Sequence, residues 1–221
     1  MNKESTVKPF ARANTPEQKE QRKKTLVNAA VRVLERDGLA QAGPNAIARE
    51  AGFSKANLYR YFDSREEIFL QIFLEDFKHW TKAVSAKLVK LPDTNDEEEI
   101  AHILISELMS HPRLITLASA LASVLEHNVT AEILAKFKAD MVKINSQILG
   151  SLRIALPDLS YEQVNFFLKS FHHLVKGMAP TTRVGTLPQE SIEDSQMLEG
   201  DKELEEDIQQ FLIIMLRGLR R

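Results

Sequence analysis

The chain has 221 residues, of which 43% are hydrophobic and 27% charged, and it contains no cysteine. This length allows one or two domains with a sizeable core, and the lack of cysteine excludes disulfides, thiolate metal sites and cysteine redox chemistry. The N-terminus lacks an apolar signal-peptide core, and no run of about 18 apolar residues could span a membrane. We therefore expect a cytoplasmic protein without a membrane partner.

The net charge of −2 conceals an uneven distribution. Residues 1–65 contain 13 Lys and Arg against 7 Asp and Glu, a net charge of +6, so the remainder carries −8. A basic head on an acidic body is expected when only the head contacts a polyanion. The alternative is a chance variation in surface charge.

Residues 1–15 are predicted to form a flexible basic arm, and the first helix begins directly after it. Thr15 is a capping residue, Pro16 occupies the first helical position and Gln18 the capping-box position. One apolar face follows at helical spacing. It is formed by Leu26, Ala29, Ala30, Val33 and Leu34. Gly38 is predicted to end this helix.

The stretch Pro44–Phe62 has the features of a helix-turn-helix. Such a motif needs a small residue where its two helices touch and a residue that accepts a positive φ in the turn. Ala48 and Gly52, four residues apart, meet these requirements. The residues predicted to pack the pair are Ile47, Ala51, Phe53 and Leu58. We therefore predict a DNA-binding domain over residues 16–63, with a pair of core helices that bind no DNA as the alternative.

The second helix of the motif, roughly Ser54–Tyr61, is predicted to enter the major groove. Lys55 and Asn57 would then read base edges, because lysine donates to guanine and asparagine pairs with adenine. The donors further along the chain would reach phosphate oxygens. These donors are Tyr59, Arg60, Tyr61 and, at the start of the next helix, Arg65. For each tyrosine alone, core packing is an equally good interpretation.

The segment IAREAGFSKANLYRYFDSREEIF resembles the signature of the tetracycline-repressor (TetR) family of bacterial regulators, over about residues 22–70. The resemblance implies that the six residues just named face DNA. Pro44 stands where the family usually has a threonine or serine that caps the helix and touches phosphate, and Asn45 is expected to take over part of that role. Arg65 replaces the usual lysine and keeps its charge.

Helical signals continue to the C-terminus, so we predict an all-α fold with a larger helical domain over residues 64–221. A connecting helix is expected over 64–91. Capping residues and prolines mark the later helices. The predicted starts are Asp96, Pro112, Thr130 and Ser160. Residues 181–202 are polar, without a sustained period, and are predicted to form a mobile loop.

The last two helices are predicted to form a dimer interface, since two such pairs could pack as a four-helix arrangement. The residues proposed for it are Phe166, Phe167, Phe171, Val175, Ile208, Phe211, Leu212 and Met215. The alternative is that they only cap the domain core. The family resemblance implies a dimer that presents two recognition helices to a palindromic operator.

The resemblance also implies a small effector bound among the middle helices. Candidate lining residues are Phe73, Phe77, Trp80, Met109, Leu117, Leu121, Phe137, Met141 and Ile144. Such a lining favours a hydrophobic or aromatic ligand, although for any one residue core packing is the alternative. No cofactor is expected, and a metal site is not expected because the adjacent His172 and His173 diverge on a helix.

Taken together with the resemblance to the TetR family, these patterns predict a homodimeric repressor that a small molecule releases from its operator. The alternative is a regulator whose helical domain answers to a protein partner. An enzyme with a DNA-binding head is not expected, because the sequence has no nucleophile elbow, phosphate-binding glycine loop, HExxH motif or cysteine chemistry.

Overall fold

The computed structural model describes residues 15–91, 96–178 and 194–221, and all regular structure within them is helical. The prediction of an all-α fold with an N-terminal helix-turn-helix domain and a larger C-terminal helical domain is confirmed. The helices are α1 (Pro16–Gln41), α2 (Pro44–Glu50), α3 (Lys55–Leu58), α4 (Arg65–Leu88), α5 (Glu97–Met109), α6 (Pro112–Ala120), α7 (Ala131–Ala155), α8 (Tyr161–Met178) and α9 (Asp194–Leu219).

Helix α1 begins with the predicted capping box. The Thr15 side chain accepts a hydrogen bond from the backbone N–H of Gln18. Gly38 breaks the helix with a φ of 78°, and one further turn follows to Gln41. The predicted end at Gly38 is therefore a kink within α1, at a residue that adopts a left-handed φ without steric cost.

Helix α4 is the central element of the fold and packs against α1, α5, α6 and α7. Its N-cap, Ser64, accepts a hydrogen bond from the backbone N–H of Glu67 at 3.1 Å. Large apolar side chains along the helix, including Phe69 and Trp80, are fully buried. The helix ends at Leu88, three residues before the predicted end, and its length connects the DNA-binding domain to the body of the protein.

Helices α5 and α6 begin at the predicted residues. Asp96 accepts hydrogen bonds from the first turn of α5, and Pro112 occupies the first turn of α6. After Ala120 the chain widens into a π-helical turn, Leu121–Leu125, and then tightens into a 3₁₀ turn. Among the described residues, no single helix is long and apolar enough to cross a membrane, and α5 and Pro112–Asn128 reach that length and composition only as a pair bent by 86°.

Helices α8 and α9 form the end of the fold. Ser160 and Gln163 form the predicted capping box of α8, and the Gln163 side chain donates a hydrogen bond to the carbonyl of Leu219 at the end of α9. Helix α9 begins at Asp194, so the predicted loop is wrong over residues 194–202. Polar residues there have adequate helix propensity without an apolar period. Residues 1–14 and 181–193, of the predicted arm and loop, lie outside the described residues.

Candidate DNA interface and effector cavity

The turn between α2 and α3 has the geometry that the sequence predicts. Gly52 has a φ of 72°, and the backbone N–H of Phe53 donates to the carbonyl of Ala48 at 2.8 Å. A Cβ atom on Gly52 would meet no atom within 4 Å. The positive φ, and not crowding, is therefore what requires glycine at this position.

The regular part of the recognition helix is shorter than predicted. The Ser54 hydroxyl accepts a hydrogen bond from the backbone N–H of Asn57 at 3.2 Å and starts α3. After Leu58 the chain continues as hydrogen-bonded turns to Phe62. The predicted helix Ser54–Tyr61 is thus one helical turn followed by tighter turns.

Most of the residues predicted to contact DNA lie on the surface of this motif. Lys55, Tyr59 and Arg60 are exposed, whereas Asn57 and Tyr61 are half-buried. The Lys55 ammonium lies 5.9 Å from the centre of the Tyr59 ring. Lys55 and Tyr59 are therefore close enough to approach one DNA groove together.

Arg65 has a different environment from the other predicted DNA contacts. Its guanidinium donates to the Glu66 carboxylate at 2.8 Å and to the carbonyls of Leu39 and Ala42 at 3.4 Å. These bonds tie the start of α4 to the end of α1. A phosphate contact by Arg65 stays a prediction, and its structural role is to fix the junction between the motif and α4.

The cap of α2 differs from the expectation. Gly43 is the N-cap and no side chain caps the helix, while Pro44 occupies its first turn. The capping position of α2 is therefore Gly43, one residue before the position that we assigned. Asn45 lies exposed in the first turn of α2, so a role in contacting phosphate stays a prediction.

A cavity of about 340 Å³ lies among α4, α6, α7 and α8. Six of the nine predicted lining residues surround it: Phe73, Phe77, Trp80, Leu121, Phe137 and Met141. Leu121 reaches the cavity from the π-helical turn, a feature frequently found at functional sites. The other three predicted residues, Met109, Leu117 and Ile144, do not line this cavity. Leu117 is fully buried in the core and Ile144 borders a separate groove between α4 and α7.

One wall of the cavity is a ladder of nearly parallel aromatic rings. Phe73 stacks on Phe77, Phe77 on Trp80, and Trp80 on Phe171, each with ring centres 5.7 Å apart and planes inclined by 12–20°. Ring pairs in this range are favourable beyond the area that they bury. The ladder joins α4 to α8 through an apolar surface.

The polar and charged part of the cavity lining was not predicted from the sequence. Helix α8 contributes Lys169, His172, His173 and Lys176, whose spacing of i, i+3, i+4 and i+7 places them on one helix face. Lys138 of α7 also lines the cavity and pairs with Glu126 at 3.0 Å. The spacing was visible in the sequence, but nothing there showed that this face would turn toward a cavity.

His172 is neutral in this environment. Burial, together with the nearby charges of Lys176 and His173, lowers the pKa of His172 to about 4. Its ring lies edge-on to Phe77, with centres 5.6 Å apart. Three buried polar atoms of the lining have no hydrogen-bond partner in the described parts of the chain: Nε2 of His172, Nε1 of Trp80 and Oδ1 of Asn145.

The predicted dimer residues divide into two groups. Five of the eight are buried in the core of their own chain: Phe167, Phe171, Val175, Ile208 and Leu212. Because each already packs within the chain, they are not available to a second copy. Phe166 and Phe211 are 57% and 48% exposed, and Met215 is half-buried. Ile214, which was not predicted, is 59% exposed.

An ion-pair network joins α6 to the helices before it. The guanidinium of Arg113 binds both oxygens of Asp76 on α4 at 2.7 Å. Its remaining nitrogen donates to Glu35 on α1 at 2.6 Å. Asp76 is only 6% exposed, so a buried carboxylate of the body holds the guanidinium that reaches across to Glu35 of the DNA-binding domain.

Both parts of the chain match models of known families. Residues 26–72 match "Bacterial regulatory proteins, tetR family", and residues 74–221 match "Tetracyclin repressor-like, C-terminal domain". The second match alone covers more than half of the chain. A helix-turn-helix head on a helical body defines the protein as a DNA-binding transcriptional regulator. The chain belongs to the TetR family of bacterial regulators.

Relatives of known sequence are also regulators. HTH-type transcriptional regulator BetI of Agrobacterium fabrum is 27% identical over 139 residues, 62% of this chain and 66% of that protein. An uncharacterized HTH-type regulator of Mycobacterium tuberculosis is 49% identical over 43 residues, 20% of this chain. The chain thus spans about two thirds of the first relative's length and 21% of the second's.

Solved structures share the fold. The TetR family regulator PfmR of Thermus thermophilus superimposes with a TM-score of 0.55 at 18% identity, over 95% of this chain and all of that one. FadR of Bacillus subtilis, solved in complex with stearoyl-CoA, has a TM-score of 0.54 at 16% identity, over 86% of this chain and 97% of that one. At such identities the likeness concerns the fold alone.

Proposed function

We propose that the protein is a homodimeric repressor that binds a palindromic operator and leaves it when a small molecule occupies the cavity. The observation that carries the proposal is the position of the cavity against α4. Phe73, Phe77 and Trp80 of α4 line it, and the same helix begins at Arg65, shortly after the recognition helix α3. A ligand that displaces α4 would therefore move the DNA-reading head.

The proposed DNA contacts are made by side chains on the surface of the helix-turn-helix. Lys55 and Asn57 read base edges, and Tyr59, Arg60 and Tyr61 bind phosphates on either side. Asn45 and Arg65 extend the phosphate contacts at the ends of the motif. The basic head supplies the attraction that is independent of sequence.

The dimer forms through the outer face of α8 and α9. Phe166, Phe211 and Ile214 are three of the largest exposed apolar side chains in the described segments. They lie on α8 and α9, which pack against each other, and exposed apolar residues on such a pair of helices suit a two-fold contact. Such a dimer would place two recognition helices roughly 34–36 Å apart, the spacing of successive major grooves on one face of DNA.

The free energy that an effector can supply is comparable with the free energy of specific operator binding. An effector that prefers the released form a hundredfold supplies about 2.7 kcal/mol per site, or about 5.5 kcal/mol for two sites. The specific binding of regulators exceeds their nonspecific binding by roughly 4–10 kcal/mol. Two bound effectors therefore supply enough free energy to vacate an operator whose specific margin lies in the lower part of this range.

The alternative is a regulator that answers to a protein partner. It would use the apolar face of α8 and α9 for that partner and leave the cavity without a role. The cavity, with its unpartnered polar atoms, favours the small-molecule effector over this alternative. Neither proposal assigns the protein a catalytic activity.

Selection of binding sites from random DNA duplexes tests the DNA-reading part of the proposal. We expect the full chain to enrich a two-fold symmetric sequence. The same selection with the DNA-binding head alone should not enrich it. Enrichment of a single asymmetric half-site by the full chain would contradict the dimeric repressor. The affinity of the full chain for the selected operator is then the reference value when release by a ligand is measured.

A further inference from the structure

We infer that the cavity is selective for an amphipathic anion, a ligand with an apolar body and one acidic head. This inference rests on the proposed function of the cavity as an effector site and names the chemical class of that effector. It goes beyond the apolar ligand that the sequence predicts, because it depends on the charged groups of the lining.

The apolar body of the ligand would lie along the aromatic ladder. The wall of Phe73, Phe77, Trp80 and Phe171 is continuous, and Met141 lies on another side of the cavity. A volume of about 340 Å³ is at the lower end of the range of roughly 300–1,000 Å³ for ligand pockets. The cavity therefore suits a slender chain or a small flat body.

The charges of the lining select an anion. Lys138, Lys169 and Lys176 face one carboxylate, Glu126, which pairs with Lys138. Among the described residues, no acidic side chain pairs with Lys169 or Lys176. Aromatic rings alone could also hold a cation, but a cationic head would meet two uncompensated ammonium groups.

Unpartnered donors provide hydrogen bonds for an acidic head. The indole nitrogen of Trp80 can only donate, and Trp80 is 1% exposed. Neutral His172 can place its single proton on Nε2, and the Asn145 amide can turn its NH₂ group inward. A buried donor without a partner destabilises the empty state, so a carboxylate that accepts from these groups is favoured.

Three probes with one common chain test the inference: decanoate, decan-1-ol and decyltrimethylammonium. Trp80 is the single tryptophan of the chain and lines the cavity, so its fluorescence reports binding directly. We expect decanoate to bind at least about tenfold more tightly than the cation, with the alcohol between them. Tighter binding of the cation or of the alcohol would overturn the inference. So would the absence of binding by every carboxylate from hexanoate to tetradecanoate up to about 1 mM.

Variants in which methionine replaces a lysine of similar length show which side chains make the cavity selective for an anion. Lys169→Met and Lys176→Met should each weaken decanoate binding by up to about fivefold, and the double variant by about tenfold or more, with little effect on decan-1-ol. Lys82→Met, an exposed lysine of α4 outside the cavity, makes the same change in net charge and should bind decanoate as the wild type does. Equal decanoate affinity in the double variant and in Lys82→Met would place the anion elsewhere and overturn the inference.

Operator binding is measured separately with the same probes. If decanoate binds with the expected selectivity and leaves the operator affinity unchanged, the anion site stands and the proposed release mechanism fails. If the cation binds more tightly and releases the operator, the release mechanism stands and the anion site fails.

Discussion

Arg113 of α6 donates a hydrogen bond at 2.6 Å to Glu35 of α1, so one side chain connects the body of the protein to its DNA-binding domain. Its neighbour Leu114 lines the cavity. Its other partner, Asp76, lies on α4 between the cavity residues Phe73 and Phe77. The cavity and the head are therefore joined through the Arg113 guanidinium as well as through the length of α4.

Glu35→Gln should weaken the coupling without unfolding the protein. The Glu35 side chain is 55% exposed, and an exposed ion pair contributes at most about 1 kcal/mol to the free energy of unfolding. We expect near-normal urea unfolding but a smaller change in operator affinity when a ligand occupies the cavity. Arg113→Met is the contrasting variant, because it leaves Asp76 buried without its partner and should cost about 3 kcal/mol or more. Unaltered release in Glu35→Gln would show that coupling does not pass through this contact.

Lys55→Ala and Asn57→Ala should change which operator sequences are bound. Each removes a base contact and should cost on the order of 1–3 kcal/mol at particular positions. Tyr59→Phe should weaken binding about equally on all sequences, because it removes only a phosphate donor. Site selection with each variant is the measurement. An unchanged sequence preference in the first two variants would refute the assignment of base readers.

Phe211→Glu should convert the protein to monomers. The residue is exposed in the single chain, so a charge there leaves the core intact but would be buried without a partner in the proposed dimer. Sedimentation velocity gives the oligomeric state, and operator affinity should fall with it. Ile154→Glu, at an exposed residue of α7, is the matched control and should stay dimeric. Phe167 is unsuitable for this test, because it is fully buried and a charge there would unfold the chain.

The helix starts could be predicted because capping is local. Thr15, Ser64, Asp96 and Thr130 each accept a hydrogen bond from a backbone N–H within three residues. The turn at Gly52 follows from backbone sterics alone. The start of α9 was missed, because a polar helix that lacks an apolar period gives no such signal.

The functional surfaces depend on tertiary packing and could be predicted only in part. Phe166 and Phe167 are adjacent and equally apolar, yet one is exposed and the other fully buried. Lys169 and Lys176 are exposed residues that nonetheless border the cavity. A lysine on a helix usually faces solvent alone, so only the placement of α8 against α4 and α7 shows their role.

His172 should make the stability of the protein depend on pH. Its pKa in the folded chain is about 4 against an ordinary value of 6.5, so the unfolded chain binds a proton between these values and the folded chain does not. The free energy of unfolding should therefore fall as the pH drops from 6.5 toward 4, by up to about 3 kcal/mol from this group. Urea unfolding across this range is the measurement. His172→Gln should flatten the profile, whereas His79→Gln, at an exposed histidine of α4, should retain it. Parallel profiles for His172→Gln and the wild type would show that His172 is not buried and neutral.

Release of the operator by a ligand must be reciprocal. A ligand shifts the equilibrium between the bound and released forms only through its different affinities for the two. If it weakens operator binding by a given factor, the operator must weaken ligand binding by the same factor. We expect Trp80 fluorescence titrations, with the operator present at saturation, to show a lower ligand affinity than titrations without it. A duplex of scrambled sequence is the control and should have no effect at the same concentration. Equal affinities in the presence and absence of operator would mean that the ligand is not an inducer, even if it fills the cavity.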